Sequence, residues 1–512
     1  MPISPTGKID RKKLATYEIV KIEESTNFIA PQNEIQEIIA NSWKQVLKLD
    51  KVSINDDYFD IGGDSLKIMS VLVLLKPHFP KLKISDFFTN KTVADLAIRV
   101  NELQLEDNNS NKMNESNIWE VKDLNEYPNR LNYKTQLNVN TKPKNILLTG
   151  ATGYLGSHVL HDLLKSTDAK IYCLIRKSNT QSLLEKLLTT MKSYFNEEVI
   201  NQINERVIPI EGDLEKDNLG LSLSDQEFIK KTVDSIIHTA ADVRHFGNVS
   251  HFEKVNIQGT KYSLDIAKSK KDLRFHYIST LGIPEDLSLS GQWEKVISKQ
   301  KFDNDLKLES VYTNSKLESE KLVYKAGEEG LAINVYRAGN LTCCSENGQF
   351  QKNIDSNAFY RMIKSMLLLG KAPKANCYLD FTPIDYASKA IVSLACQENT
   401  IGETFHICNP EQILYSSVVD MINNFGYKIE LIDQIEYEKW LFNKNIKKTQ
   451  EGLELAIAQL DGDGVKDSCY RFACPNAIKY LNYKSVKCPQ VDQDFIDKMI
   501  SYAIKVEYFP KA

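Results

Sequence analysis

The chain has 512 residues, too many for one hydrophobic core, so two or more domains are expected. Hydrophobic content of 42% and charged content of 26% are ordinary for a globular protein, and a net charge of −4 offers no basic field to nucleic acid or an anionic membrane. The longest apolar run near a helix, Val71-Leu72-Val73-Leu74-Leu75, is far too short to cross a bilayer, and the opening Met-Pro-Ile-Ser-Pro-Thr-Gly-Lys holds no apolar signal core.

Residues 1–27 form a polar, proline-containing lead-in. Residues 28–104 carry three helical patterns. The first, Glu34 to Leu47, sets Ile35, Ile38, Ile39, Trp43, Val46 and Leu47 on one face. The second begins at Ser65 and the third runs from Val93 to Leu103, with the short segment Ile84–Phe88 between them. These patterns predict a small all-α bundle. Before the second helix stands Asp57-Tyr58-Phe59-Asp60-Ile61-Gly62-Gly63-Asp64-Ser65-Leu66, an acidic, aromatic loop that tightens through two glycines. It delivers the Ser65 hydroxyl to a helix N-terminus, where N–H groups and the helix dipole favour a phosphate. Residues 105–141 are expected to be a flexible linker, and their first part, 105–117, is too polar to bury a core.

From 142 to 512 short β-rich runs alternate with helical stretches, which predicts an α/β domain on a parallel sheet. The expected strands are Asn145–Thr149, Lys170–Ile175, Val207–Ile210, Ser235–Thr239, Phe275–Ser279 and Ala332–Tyr336. Thr149-Gly150-Ala151-Thr152-Gly153-Tyr154-Leu155-Gly156 follows the first strand and opens a helix. Its glycines permit a tight turn, backbone approach to a pyrophosphate and close helix–strand packing, so the stretch is a candidate dinucleotide site. At the end of the second strand, where an acid would grip the ribose 2′-hydroxyl of NAD, the chain has Arg176-Lys177, which suits the 2′-phosphate of NADPH. Thr239-Ala240-Ala241, after the fourth strand, is small enough to let a cofactor lie against the backbone, while Asn256 reads as a brace.

Tyr312-Thr313-Asn314-Ser315-Lys316 places a phenol and an ammonium at i and i+4, on one helix face. A free tyrosine titrates near ~10. A neighbouring lysine favours the phenolate and draws the phenol toward neutral pH, and it can also hold a nicotinamide ribose. Upstream, Ser279-Thr280 closes the fifth strand, and either hydroxyl could polarise a carbonyl.

The glycine turn, spaced G-x-x-G-x-x-G, resembles the short-chain dehydrogenase/reductase superfamily, especially its extended branch. That resemblance implies a Rossmann fold with a smaller C-terminal substrate subdomain from about residue 341. It selects Thr280 over Ser279 for the Ser/Thr–Tyr–Lys set with Tyr312 and Lys316, and it makes Asp213 and Leu214 of Gly212-Asp213-Leu214 adenine contacts. Gly-Gly-Asp-Ser-Leu at 62–66 looks like the attachment site of an acyl or peptidyl carrier protein, with Ser65 as the acceptor of 4′-phosphopantetheine. A carrier followed by an extended reductase resembles the C-terminal end of a nonribosomal peptide synthetase, as in terminal thioester reductase domains, aminoadipate reductase and carboxylic acid reductases. Cys173-Leu174-Ile175-Arg176, Tyr336-Arg337-Ala338-Gly339-Asn340 and Phe381-Thr382-Pro383-Ile384-Asp385-Tyr386 share the likeness. Ser4-Pro5-Thr6-Gly7-Lys8-Ile9-Asp10-Arg11 resembles the last motif of an adenylation domain, whose lysine would be Lys8, so 1–27 reads as a remnant of such a domain.

The resemblance implies a phosphopantetheinyl transferase and upstream adenylation or condensation modules as partners. It also implies an acyl, aminoacyl or peptidyl thioester as substrate and reductive release with NADPH as an aldehyde, with an alcohol as a further product. Competing readings are Dieckmann-type cyclising release, whose domains tend to lack the tyrosine, and a non-catalytic NADP-binding module. Gly-Asp-Ser-Leu also occurs in a class of serine esterases, but Asp242-Val243-Arg244-His245, the Asp-x-x-His match, lies mid-chain. The nine cysteines lack zinc-site spacing, Cys343-Cys344 and Cys469/Cys474 included. No metal site is expected, and the thiols read as reduced, in a cytoplasmic protein.

Overall fold

The computed structural model describes residues 28–105, 121–126, 131, 142–244, 248–443, 445–460 and 464–512, with backbone alone at Ser65 and Leu66. The lead-in with Lys8, most of the expected linker, and His245 lie outside the described residues. The chain divides into two compact units, 1–114 and 115–512.

In the first unit, helix α1 (Glu34–Leu47) starts where the Asn33 side chain accepts the Gln36 N–H, and it stops at Lys48, whose φ of 57° is left-handed. Helix α2 (Ser65–Leu75) is capped by Asp64, whose carboxylate accepts the Lys67 N–H. A single turn, α3 (Asp86–Thr89), and α4 (Val93–Leu105) complete the bundle. Trp43, Tyr58, Ile68, Val71, Leu72, Phe87 and Leu96 are fully buried between them. Tyr58 packs edge-on against Trp43 at 4.8 Å and against Phe87 at 5.7 Å, which pins the loop ahead of α2 to the core.

The second unit is built on seven parallel strands: β1 (Asn145–Thr149), β2 (Lys170–Ile175), β3 (Val207–Glu211), β4 (Ser235–His238), β5 (Arg274–Thr280), β6 (Ala332–Ala338) and β7 (Thr404–Ile407). Their order is β7-β6-β5-β4-β1-β2-β3. The chain steps outward from β1 to β3, then returns to β4 and builds the other way. The reversal therefore falls between β1 and β4, the position where open α/β sheets bind ligands. Both faces are covered, and every strand but β7 holds at least two adjacent apolar residues. Helices α5 (Tyr154–Ser166) and α8 (Ile384–Ala395) cover one face with Val159, Leu163, Ala387 and Ile391, while α7 (Val311–Glu328) covers the other with Val323 and Ala326.

Six of these strands are those expected from sequence, and β7 is an addition. The region after residue 341 builds its own core around Phe350, Tyr360, Met366, Phe381, Tyr415, Phe495 and Met499, but α8 and β7 return from it to the Rossmann layer. Tyr360, Phe381 and Tyr386 are buried core residues.

The expected linker 105–141 needs one correction. Its residues 121–126 are folded into the second unit, where Lys122–Leu124 pairs in parallel with Tyr470–Phe472. Leu124 is buried with Trp293 and Leu317. The buried Glu126 carboxylate accepts N–H bonds from Asn476 (2.9 Å), Ala477 (3.1 Å) and His406 (3.4 Å), which caps helix α9 (Pro475–Asn482) and ties it to β7. An apolar residue and an acid with three backbone donors anchor a stretch whose composition alone looks unstructured.

Candidate active site

The turn after β1 is shaped by close packing. Gly150 has φ +79°, and a Cβ there would lie 2.5 Å from the Thr239 hydroxyl and 2.8 Å from the Ala240 nitrogen. A Cβ on Gly156 would run into the Gly150 carbonyl. Gly153 begins α5 with no side-chain cap, so the first amides of that helix remain available to an anion. Thr149 knits β1 to β4: its hydroxyl accepts the Ala240 N–H (3.2 Å) and bonds His238 Nδ1 (3.0 Å), and its carbonyl accepts the Thr239 hydroxyl (2.7 Å). A bare backbone beside an uncapped helix end fits a dinucleotide pyrophosphate. Thr152, Ala240 and Ala241 line this seam half-buried. Tyr154 and Leu155 bring their backbone to the turn, but their side chains leave it. Leu155 joins the core, and the Tyr154 hydroxyl donates to the carbonyls of Thr342 (3.0 Å) and Gln349 (3.3 Å) while its ring meets Phe350.

At the end of β2, Arg176 pairs with Glu215 at 3.6 Å and Lys177 with Glu211 at 3.6 Å. A third cation, Lys186, donates to the Arg176 carbonyl at 2.9 Å; burial and the Arg176 charge together hold its pKa below the ordinary lysine range. It sits on helix α6 (Leu183–Met191), opened by a Ser182–Glu185 capping box, ten residues beyond Arg176, a spacing no turn motif advertises. Asp213 accepts the Glu215 N–H and is held by its own N–H on Leu219 (2.6 Å), while Leu214 packs under Gly259.

Beyond β5, Thr280 and Tyr312 come together: the Tyr312 hydroxyl is hydrogen-bonded to Thr280, which also accepts the Gly282 N–H at 3.1 Å. Lys316, one turn along α7, is buried, donates to the Ile278 carbonyl at 2.6 Å and lies 4.2 Å from the Tyr277 ring centre. Burial pushes Lys316 down to about 7, against the opposing pull of Glu320. Burial likewise pushes Tyr312 up to about 12, only partly offset by the Thr280 bond. This corrects the expectation of a phenolate: desolvation outweighs the lysine, whose ammonium is turned to Ile278, and Tyr312 stays a neutral O–H donor. Ser279 is buried with its hydroxyl unpartnered and does not share the Tyr312 bond.

Asn256 is the brace the sequence suggested and something more. From a π-helical turn, Glu253–Gln258, its amide donates to the Ser315 hydroxyl (2.8 Å) and the Asp242 carbonyl (3.0 Å) and accepts the Asp242 N–H (2.8 Å). It thereby joins the segment after β4 to the helix that carries Tyr312 and Lys316. Asp242 is engaged by Arg244 and by His251 at 2.9 Å, which argues against its serving as the acid of the Asp-x-x-His pair, whose His245 lies outside the described residues. Among the described residues no group of His, Cys, Asp and Glu could hold a metal ion.

In the first unit, the carrier-like loop closes through Gly62 at φ +97°, and a Cβ at Gly63 would collide with the Tyr58 ring. Lys67 donates to the Gly62 carbonyl at 2.7 Å, fixing the loop to the first turn of α2, where Ser65 stands.

A carrier-type bundle and a Rossmann unit with a Thr–Tyr–Lys set define a carrier joined to a dinucleotide-dependent reductase domain. Residues 37–100 match the family described as phosphopantetheine attachment site, and residues 148–391 match the NAD-binding family described as male sterility protein. The chain has the layout of a thiolation–reductase di-domain of a nonribosomal peptide synthetase. It superposes on such a di-domain from an archaeal synthetase with a TM-score of 0.75 and 28% identity, covering 94% of this chain and 100% of that one. The terminal R domain of the myxalamid pathway matches with a TM-score of 0.61 and 28% identity, over 72% of this chain and 92% of that one. Among curated proteins, a linear gramicidin synthase from Brevibacillus parabrevis is 29% identical over 98% of this chain. The L-2-aminoadipate reductase large subunit of Candida glabrata is 24% identical over 91%. The chain spans 10% of the first protein and 36% of the second.

Proposed function

We propose that this chain carries an acyl, aminoacyl or peptidyl thioester on 4′-phosphopantetheine at Ser65 and releases it reductively as an aldehyde, with NADPH as reductant. The hydrogen-bonded Thr280–Tyr312 pair beside Lys316, in one chain with the carrier loop, carries this reading. The turn 149–156, Asp213, Leu214, Ala240 and Ala241 would hold the dinucleotide, and Arg176, Lys177 and Lys186 its 2′-phosphate. Bound there, NADPH supplies a hydride. Tyr312 and Thr280 donate their O–H groups to the thioester carbonyl oxygen and stabilise the negative charge that develops on it. Lys316 binds the nicotinamide ribose and, with a midpoint near neutrality, can return a proton to Tyr312. Retention of Tyr312 favours reduction over Dieckmann-type cyclisation.

On this reading residues 28–104 are the carrier and 142–512 the reductase, with 121–126 belonging to the latter, and 1–27 are an adenylation-domain remnant. A phosphopantetheinyl transferase and upstream adenylation or condensation modules are the partners. All nine cysteines are free thiols, which suits a reducing cytoplasm. No helix among the described residues is long and apolar enough to cross a membrane. The test loads the carrier with transferase and acyl-coenzyme A, adds NADPH and identifies the product by mass. An aldehyde or alcohol is expected, and a free acid or cyclised product with no NADPH consumed would refute the assignment.

A further inference from the structure

The hydrogen-bonded pair at the site comes from two elements. Thr280 ends β5, and the chain turns at once into a short helix, Gly282–Leu289. Tyr312 stands in the first turn of α7. Both hydroxyls must meet one carbonyl oxygen, so the spacing of the short helix from α7 bears on the chemistry. Thr313, next to Tyr312 in sequence and buried, touches the short helix at two points. Its hydroxyl donates to Asp286 Oδ2 at 2.5 Å, far closer than the Ser310 carbonyl at 3.4 Å. Its methyl faces Gly282, where a Cβ would lie 2.7 Å from Thr313 Cγ2. Gly282 in turn donates its N–H to the Thr280 hydroxyl at 3.1 Å. An unbroken run of contacts therefore leads from Thr280 through Gly282 to Thr313 and, along the backbone of α7, to Tyr312.

The two helices do not need Thr313 to stay together. Ile283 and Leu287 of the short helix are buried with Leu317 of α7 and with Trp293. Apolar packing of this kind is non-directional and leaves the exact spacing and rotation of the helices open. A short hydrogen bond and a contact as close as only glycine permits define both.

We propose that Thr313 is a positioning residue that, with Asp286 and Gly282, sets the spacing at which Thr280 and Tyr312 address one carbonyl oxygen. The purpose of that spacing rests on the reductase reading, but the spacing itself can be tested apart from it.

The test uses the full chain, with a soluble acyl thioester and NADPH for steady-state kinetics and fluorescence titration of NADPH for affinity. In a parallel set fluorotyrosine replaces Tyr312, and its fluorine NMR signal is compared with that in Thr280→Val, where the pair is broken. Thr313→Val keeps the methyl and the volume but loses the hydroxyl. Its kcat is expected to fall about 10²-fold, the effect of a misplacement of ~1 Å, with KM and NADPH affinity unchanged. Its fluorine signal should move toward that of Thr280→Val. Thr313→Ser keeps the hydroxyl and should leave kcat and the signal close to wild type. Gly282→Ala should force the short helix away from Thr313 and lower kcat in the same way, although alanine is the better helix former. Adding Thr313→Ser to Gly282→Ala removes the methyl in its path and should restore most of the rate. Undiminished kcat or an unmoved fluorine signal in Thr313→Val would overturn the proposal, as would a Gly282→Ala defect that Thr313→Ser leaves uncorrected. If Thr313→Val does not fold, the Gly282→Ala rescue decides. If the wild-type chain reduces no thioester, the reductase reading fails, and the fluorine signal alone judges the spacing.

Discussion

At the residue scale the site divides its labour between groups that donate and groups that hold. Tyr312, kept a phenol by burial, is placed to donate, so Tyr312→Phe should bind NADPH as wild type does yet lose turnover by roughly 10²–10⁴-fold. Fluorescence titration and single-turnover NADPH oxidation separate the two effects, and undiminished turnover would remove Tyr312 from the chemistry. Arg176 is exposed and bound only loosely to Glu215, so its removal should cost little stability. Arg176→Ala should narrow the preference for NADPH over NADH about tenfold, compared as kcat/KM, and an unaltered ratio would leave the choice to Lys177 and Lys186. Tyr312, Lys316 and Thr280 were legible because a motif and a strand end announce them. Lys186 and Asn256 were not recognisable as site residues, since their relation to the site arises from helix packing and a π-turn, which one sequence does not encode as a spacing.

At the scale of elements, each of the six strands read from sequence holds at least two adjacent apolar residues, Ile236-Ile237 in β4 and Tyr277-Ile278 in β5 among them. β7, Thr-Phe-His-Ile, hides because polar and apolar residues alternate along it, although its polar ones are buried too, His406 on the Ala473 carbonyl and Thr404 on the Tyr324 hydroxyl. The segment 121–126 likewise hides behind its polar residues. Glu126 is raised to about 7, chiefly by burial, despite three backbone donors that lower it. The folded state therefore holds its proton more tightly than the unfolded chain. The contribution of Glu126 to stability is full below the ordinary glutamate range and is lost as pH rises through about 7. At ~1.4 kcal/mol for each tenfold change in proton affinity, roughly 3 kcal/mol is at stake. Thermal melts should show the second unit less stable at pH 8 than at pH 5.5, with a smaller difference in Glu126→Gln. Equal differences in the two proteins would assign the slope to Glu285 and Asp380, which burial also raises, to about 7 and about 6.

At the scale of the whole molecule, the two units have separable tasks, attachment and reduction. Ser65→Ala should accept no phosphopantetheine, by intact mass, yet bind NADPH normally. Its second unit should still reduce a soluble acyl thioester, but with a raised KM, because tethering contributes an effective concentration in the ~mM range. Loss of reduction of the soluble thioester would mean that the serine also serves the second unit.

The strap formed by residues 121–126 bears on how such a reductase can be moved between assemblies. Cut at residue 142, the domain would lose the partner of Tyr470–Phe472 and the carboxylate over the first amides of α9. It would then present an unpaired strand edge to other chains, a template for sticking and strand exchange. A graft of this reductase onto another synthetase should therefore take its junction before Val121, so that the last residues leading in from the carrier travel as part of the catalyst.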